Sequence, residues 1–102
     1  MQRRLRRNKL EIFYDILSSL DAEISSGNVK PTRVQQRCNL SYDKFSKNLK
    51  ELEERKLVTT DSTLKITKNG SEFLQDYEKI NNFITKMKLD YLIERRDSSH
   101  EF

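Results

Sequence analysis

The chain has 102 residues, 34% hydrophobic and 35% charged, enough to bury one small core and too few for more than one domain plus an extension. Its formal net charge of +4 and pI of about 9.3 suit an anionic partner. Cys38 is the only cysteine, which excludes an intramolecular disulfide and a zinc site built on cysteine pairs.

No stretch of about 18 apolar residues runs together, so no membrane partner is expected. With the lone cysteine this points to a reducing, cytoplasmic setting, nucleoid-associated if the anionic partner is DNA. The charge is also placed rather than spread. Residues 1–9 hold Arg3, Arg4, Arg6, Arg7 and Lys9 with no acid, and residues 27–50 hold Lys30, Arg33, Arg37, Lys44, Lys47 and Lys50 against Asp43 alone. Between them stand Glu11, Asp15, Asp21 and Glu23 with no base.

Residues 1–7 read as a basic N-terminal arm. Arg3, Arg4, Arg6 and Arg7 are suited to the minor groove or the phosphate backbone of DNA, and equally to a solubilising tail or an added turn of the first helix. Asn8 with Glu11 forms a capping box, and Leu10, Phe13, Ile16, Leu17, Leu20 and Ile24 recur at helical spacing behind it. That helix is expected to stop near Gly27, where a left-handed backbone costs nothing.

Pro31-Thr32 opens the second helix, with Thr32 as cap, Gln35 returning the bond, and Val34 and Cys38 on one apolar edge. Packed beside Val34, Cys38 reads as a small core residue rather than an exposed redox thiolate. Arg33, Gln36 and Arg37 are candidates for a backbone clamp; Arg37 lies close enough to the apolar edge to serve equally in a structural salt bridge.

Asn39-Leu40-Ser41 predicts a tight turn. Asn39 tolerates a left-handed backbone, Leu40 drops into the core and Ser41 caps a third helix running to Lys56. Tyr42, Phe45, Leu49 and Leu52 share one stripe of that helix, and at about 100° per residue Asp43, Lys47, Lys50, Glu51 and Glu54 fall opposite, with Lys44 and Ser46 on the flanks.

Leu57–Thr60 and Thr63–Ile66 are β-prone around Asp61-Ser62, which predicts a short hairpin carrying Lys65. Helix, tight turn, helix and hairpin in that order are the parts of a winged helix-turn-helix, here residues 8–67. In this arrangement the second helix of the pair enters the major groove. Lys44, Lys47 and Lys50 would contact phosphates, while Ser46, Lys47 and Asn48 would approach base edges, with Ser41 at the helix start. The same lysines could instead be a plain solvated face. Lys65 is a further phosphate candidate, though a single hairpin lysine needs no function.

Thr67 can cap a last helix of about 28 residues, over 68–96. Phe73, Tyr77, Ile80, Ile84, Met87 and Tyr91 alternate at spacings of four and three, the seam of a coiled coil through which two chains would dimerise. Residues 97–102 show no pattern and read as a disordered tail. His100, the only histidine, falls in that tail, and Glu53 and Glu54 point apart on their helix. With no nucleophile beside a base, no glycine-rich loop and no metal-ligand spacing, neither enzyme activity nor a cofactor, metal or small-molecule ligand is expected.

The order and spacing of several segments resemble the small archaeal winged-helix DNA-binding proteins, chromatin-type members among them. They are Lys9-Leu-Glu-Ile with Asp15-Ile-Leu, Thr32 through Asn39-Leu-Ser-Tyr, Leu49 through Leu52, Leu57-Val58, and Ile66-Thr-Lys-Asn-Gly with Phe73-Leu74. The resemblance spans residues 8–93. It implies a mainly α fold with a short β-hairpin and a long last helix paired as an antiparallel coiled coil. It also implies a homodimer that binds double-stranded DNA, as a transcription regulator or a nucleoid protein. Lys56 stands where that family has a glycine before the first wing strand, and the loop from Ser25 to Lys30 is longer than its pattern. The competing reading is a winged-helix adaptor that binds proteins and not DNA.

Overall fold

The Asn8 side chain accepts the Glu11 N–H at 2.8 Å and the Glu11 carboxylate accepts the Asn8 N–H at 2.8 Å, a reciprocal pair that starts α1 (Lys9–Ser25). The computed structural model describes residues 7–88. After α1 come α2 (Pro31–Cys38), α3 (Tyr42–Glu54), the strands β1 (Val58–Thr59) and β2 (Lys65–Ile66), and α4 (Lys68–Lys86). The fold is mainly α with a two-stranded antiparallel sheet, Val58 opposite Ile66 and Thr59 opposite Lys65.

α1 is the central element, packed on α2, α3, α4 and β2. Because cover comes from so many sides, its buried arc is wider than the predicted stripe and is displaced from it. Ile12, Phe13, Ile16, Leu17, Leu20 and Glu23 are buried, whereas Leu10 and Ile24, both expected inside, are exposed. Val34, Cys38, Leu40, Phe45, Leu52, Val58, Leu64 and Leu74 complete the core.

Thr32 does not cap α2. Lys30 occupies the cap position with extended backbone and no side-chain bond, and Pro31 takes the first helical position, where its fixed φ fits and its missing N–H costs nothing. Gln35 donates instead to the Leu40 carbonyl at 3.1 Å. Asn39 adopts φ 57°, ψ 48°; its N–H bonds the Gln36 carbonyl and that of Leu40 bonds the Gln35 carbonyl, which closes α2 and turns the chain toward α3. Ser41 then accepts the Lys44 N–H at 3.2 Å and caps α3.

α3 ends at Glu54, short of the expected Lys56, because Lys56 itself turns left-handed at φ 64°. Its N–H bonds the Glu53 carbonyl, and the Leu57 N–H reaches back to Leu52. The position where the resembling family carries glycine thus has the backbone that glycine favours. Tyr42, predicted on the buried stripe, is 71% exposed, so the buried side of α3 begins at Phe45.

The hairpin is shorter than predicted, with residues 60–64 joining the strands and Leu64 folded inward as a core plug. Thr67 accepts the Gly70 N–H at 3.0 Å and donates to the Lys56 carbonyl at 2.7 Å, so one hydroxyl caps α4 and ties it to the end of α3. Gly70 lets α4 approach the wing: a Cβ there would lie 2.2 Å from the Leu57 carbonyl oxygen.

α4 has 19 residues rather than the expected 28 or so, and closes at Met87, followed by Lys88 at φ 60°. Its second half is largely exposed, with Ile80, Phe83 and Met87 all open to solvent. Tyr91, the rest of the predicted dimerisation helix and the predicted tail lie outside the described residues, as do Arg3, Arg4 and Arg6.

Candidate nucleic-acid interface

The turn that joins α2 to α3 is held by three local devices, the left-handed Asn39, the buried Leu40 and the Ser41 cap, and a fourth from far away. Arg7 is paired with Asp15, and its Nη1 donates to the Cys38 carbonyl at 2.9 Å while Nη2 donates to that of Asn39 at 3.1 Å. The guanidinium therefore neutralises the carbonyl end of α2 and staples it to α1. Of the four arm arginines, Arg7 at least is taken up inside the fold.

Phe45 and Leu52 are buried and Leu49 is half-buried, which fixes the rotation of α3 and turns Lys44, Lys47 and Lys50 to solvent. Lys47 faces Asp43 at 3.6 Å, an exposed pair one turn apart that contributes little to stability and leaves the ammonium available. Ser46 is half-buried between the lysines, and Ser41 is exposed at the helix start.

Asn48 departs from the expectation of a base-edge contact. It is 5% exposed, with Nδ2 donating to the Lys44 carbonyl at 2.8 Å and Oδ1 accepting Lys9 Nζ at 3.1 Å. Its amide faces α1, because its place on the helix lies beside Phe45 and Leu52 rather than opposite them. Lys9 also bonds Glu51 at 2.8 Å, and Arg55 bonds the same carboxylate at 3.1 Å. These two cations, Lys9 first, hold the Glu51 carboxyl below its ordinary range. They offset one of the acids in the second half of α3.

On α2, Gln36 is exposed while Arg33 and Arg37 flank Glu23 of α1: Arg37 Nε donates to Oε2 at 2.6 Å and Arg33 Nε stands 3.6 Å from Oε1. The structural alternative for Arg37 is thus realised, and Arg33 shares it. Lys65 is exposed on β2. Cys38 is buried, with its thiol directed to the Asp15 carbonyl and Ser19, and burial pushes its pKa up. A buried, protonated thiol is a poor redox sensor.

Phe73 is half-buried against the core, and Tyr77 stacks on Tyr14 of α1 at 4.7 Å between ring centroids. The domain itself takes up the first two positions of the predicted dimer seam. Ile84 is half-buried, whereas Ile80, Met87 and Phe83, which falls between them and off the predicted stripe, are all more than half exposed.

Lys9 and Glu23 hold places in this face that sequence reasoning does not assign. For Glu23 a signal exists: it follows Leu20 by three residues and continues the buried stripe, and an acid in such a place requires a partner. For Lys9 there is only its charge.

Residues 6–94 match the family described as winged helix-turn-helix. The chain belongs to that family. No curated protein matches it. The matched span contains every described element of this winged helix-turn-helix chain, from the Arg7 staple to α4. Among the described residues no helix is long and apolar enough to cross a membrane. A winged helix-turn-helix domain is suited to DNA binding or regulation, with α3 in the place of the recognition helix.

Proposed function

We propose that this chain binds double-stranded DNA through α3, as a homodimeric transcription regulator or nucleoid-associated protein of the cytoplasm, with no catalytic activity. The observation that carries the reading is the exposed triad Lys44, Lys47 and Lys50 on a helix whose rotation is locked from behind by Phe45, Asn48 and Leu52. Three ammonium groups on one fixed face are positioned to neutralise phosphates.

Sequence readout by this helix is modest. With Asn48 turned inward, Ser41, Ser46 and Lys47 remain as polar candidates, and the exposed Tyr42 adds an aromatic edge at the helix start that suits a thymine methyl. No arginine precedes Arg55 on α3, so the commonest bidentate reader of guanine is missing. Affinity rests on phosphates and DNA shape. Lys65 adds a phosphate contact from the wing, Gln36 one from α2, and the arm arginines Arg3, Arg4 and Arg6 add a basic segment suited to the backbone or minor groove.

The dimer pairs α4 with its copy. Its support is the exposed apolar set Ile80, Phe83 and Met87, spaced three and four along the second half of α4 and its C-cap.

Replacing Lys44, Lys47 and Lys50 together by Ala tests the assignment. The variant should keep its fold, bind duplex DNA more weakly, and show a plot of log affinity against log salt flatter by about 0.9 for each phosphate no longer neutralised. Unchanged affinity in the folded variant would remove α3 as the interface.

A further inference from the structure

Among the described residues Glu23 is the only buried carboxylate, and it is 0% exposed. An acid withdrawn from water requires compensation, yet among the described residues this one receives a single hydrogen bond, from Arg37 Nε at 2.6 Å to Oε2. Among the described residues Oε1 has no hydrogen-bond partner, and it stands 3.6 Å from Arg33 Nε. Burial so incompletely compensated is weak support for folding stability. It calls for another role.

The geometry of the two guanidiniums suggests one. Both present the Nε edge to Glu23, which leaves the paired Nη donors of each for another acceptor. Their side chains are 52% and 48% exposed, so those donors are within reach of a ligand. Arg33 and Arg37 are one helical turn apart on α2, and one carboxylate between them lowers their mutual repulsion and aligns them. Two cations on one anion leave an excess positive charge at the surface. A tetrahedral anion with several acceptor oxygens matches two forward-facing guanidinium forks.

We infer that Glu23 is a positioning residue that sets Arg33 and Arg37 as a two-arginine clamp for a DNA phosphate. This rests on the DNA-binding reading above and adds to it a buried residue that does not itself touch DNA.

The effect expected of removing the Glu23 charge is opposite in sign to simple electrostatics. Glu23→Gln raises the net charge by one, which by long-range attraction alone would tighten binding to DNA. If Glu23 positions the arginines, the variant binds a random-sequence duplex more weakly than the natural chain, and its salt slope falls by about one for each phosphate left unneutralised. Affinity equal to or tighter than that of the natural chain would overturn the inference and make Glu23 a mere offset to the arginine charge.

A second measurement needs no variant. In the natural chain labelled with 15N-arginine, addition of duplex should shift the guanidinium signals of Arg33 and Arg37, assigned by single Arg→Lys variants, while the Arg37 Nε–H stays protected from solvent exchange. If backbone signals of α3 shift and these do not, the clamp is refuted while the DNA reading stands. If no signal moves and no duplex binds at low salt, the DNA reading fails and the clamp with it.

Discussion

Lys9 Nζ donates to Asn48 Oδ1 at 3.1 Å and so ties the first residue of α1 to the buried side of α3. The same ammonium bonds Glu51 one turn further along. The rotation of α3 is therefore set by polar contacts to α1 as well as by Phe45 and Leu52, and Asn48 is part of the support behind the basic face.

Asn48→Ala follows directly. Removing the amide leaves Lys9 without one partner and a small gap beside Phe45, at a cost of about 1–3 kcal/mol. Thermal unfolding should show a lower midpoint. Base preference in a selection from random duplexes should be unchanged, because the amide faces inward; an altered preference at unchanged stability would contradict that placement.

Gly70 tests the contact between α4 and the wing. At an exposed helix position Gly→Ala gains up to about 1 kcal/mol. Here the added Cβ meets the Leu57 carbonyl oxygen at 2.2 Å and Ile66 Cγ2 at 2.8 Å, and backbone cannot give way as a side chain can. Gly70→Ala should destabilise by about 1–3 kcal/mol, the usual cost of overpacking. Urea unfolding reads the sign, and a stabilised variant would mean that α4 sits further from the wing.

Lys56 gives the reverse case. A non-glycine residue in the left-handed region costs about 1–2 kcal/mol, and glycine returns part of that as unfolded-chain entropy. With φ at 64°, Lys56→Gly should stabilise the domain by about 0.5–1 kcal/mol. On a domain of this size that corresponds to a rise of a few degrees in Tm. A fall in Tm would show that the lysine side chain makes an interaction worth more than the backbone strain.

Burial raises the Cys38 thiol pKa in the folded chain. A raised folded pKa means that the unfolded chain loses its proton first as pH increases. The contribution of the protonated thiol is fully present below the unfolded pKa, near 8.5, and declines above it until the folded thiol itself titrates. The urea midpoint should therefore fall as pH passes about 8.5, and Cys38→Ala should flatten that decline. Iodoacetamide should label folded Cys38 slowly, and fast labelling at pH 7 would contradict its burial.

Phe83→Lys with Met87→Lys tests the proposed pairing of α4 with its copy. Both side chains are exposed, so the charges should leave the fold intact while placing like charges in the α4 seam. Sedimentation equilibrium should give twice the chain mass for the natural protein and the chain mass for the variant. A variant that remains dimeric would locate the interface elsewhere.

Much of the fold was legible because its signals are local. The Asn8–Glu11 box, the left-handed Asn39, the Ser41 cap and the Thr67 cap each depend on residues within three or four positions, and each is found where the sequence puts it. The glycine-like place of Lys56 was legible through family resemblance.

The site was harder to read because its residues are oriented by distant partners. Asn48 answers to Lys9, 39 positions away, and Arg7 to Cys38, 31 positions away. Arg37 answers to Glu23, 14 positions away. Helical-wheel arithmetic tells which way a side chain leaves its own helix, not what stands opposite. Tyr42 shows the same limit from the other side, an apolar position on the stripe that stays exposed. The end of α4 eluded sequence reading because a seam pattern continues in sequence whether or not a partner covers it.

The α3 face is proposed to bind duplex DNA through its phosphates. Fluorescence anisotropy of a labelled random-sequence duplex, titrated with the full chain at about 50 and 200 mM salt, tests it most directly. Binding at the lower concentration and a marked loss at the higher are expected. Absence of binding at low salt, or an affinity indifferent to salt, would contradict it and favour a winged-helix adaptor that recognises protein.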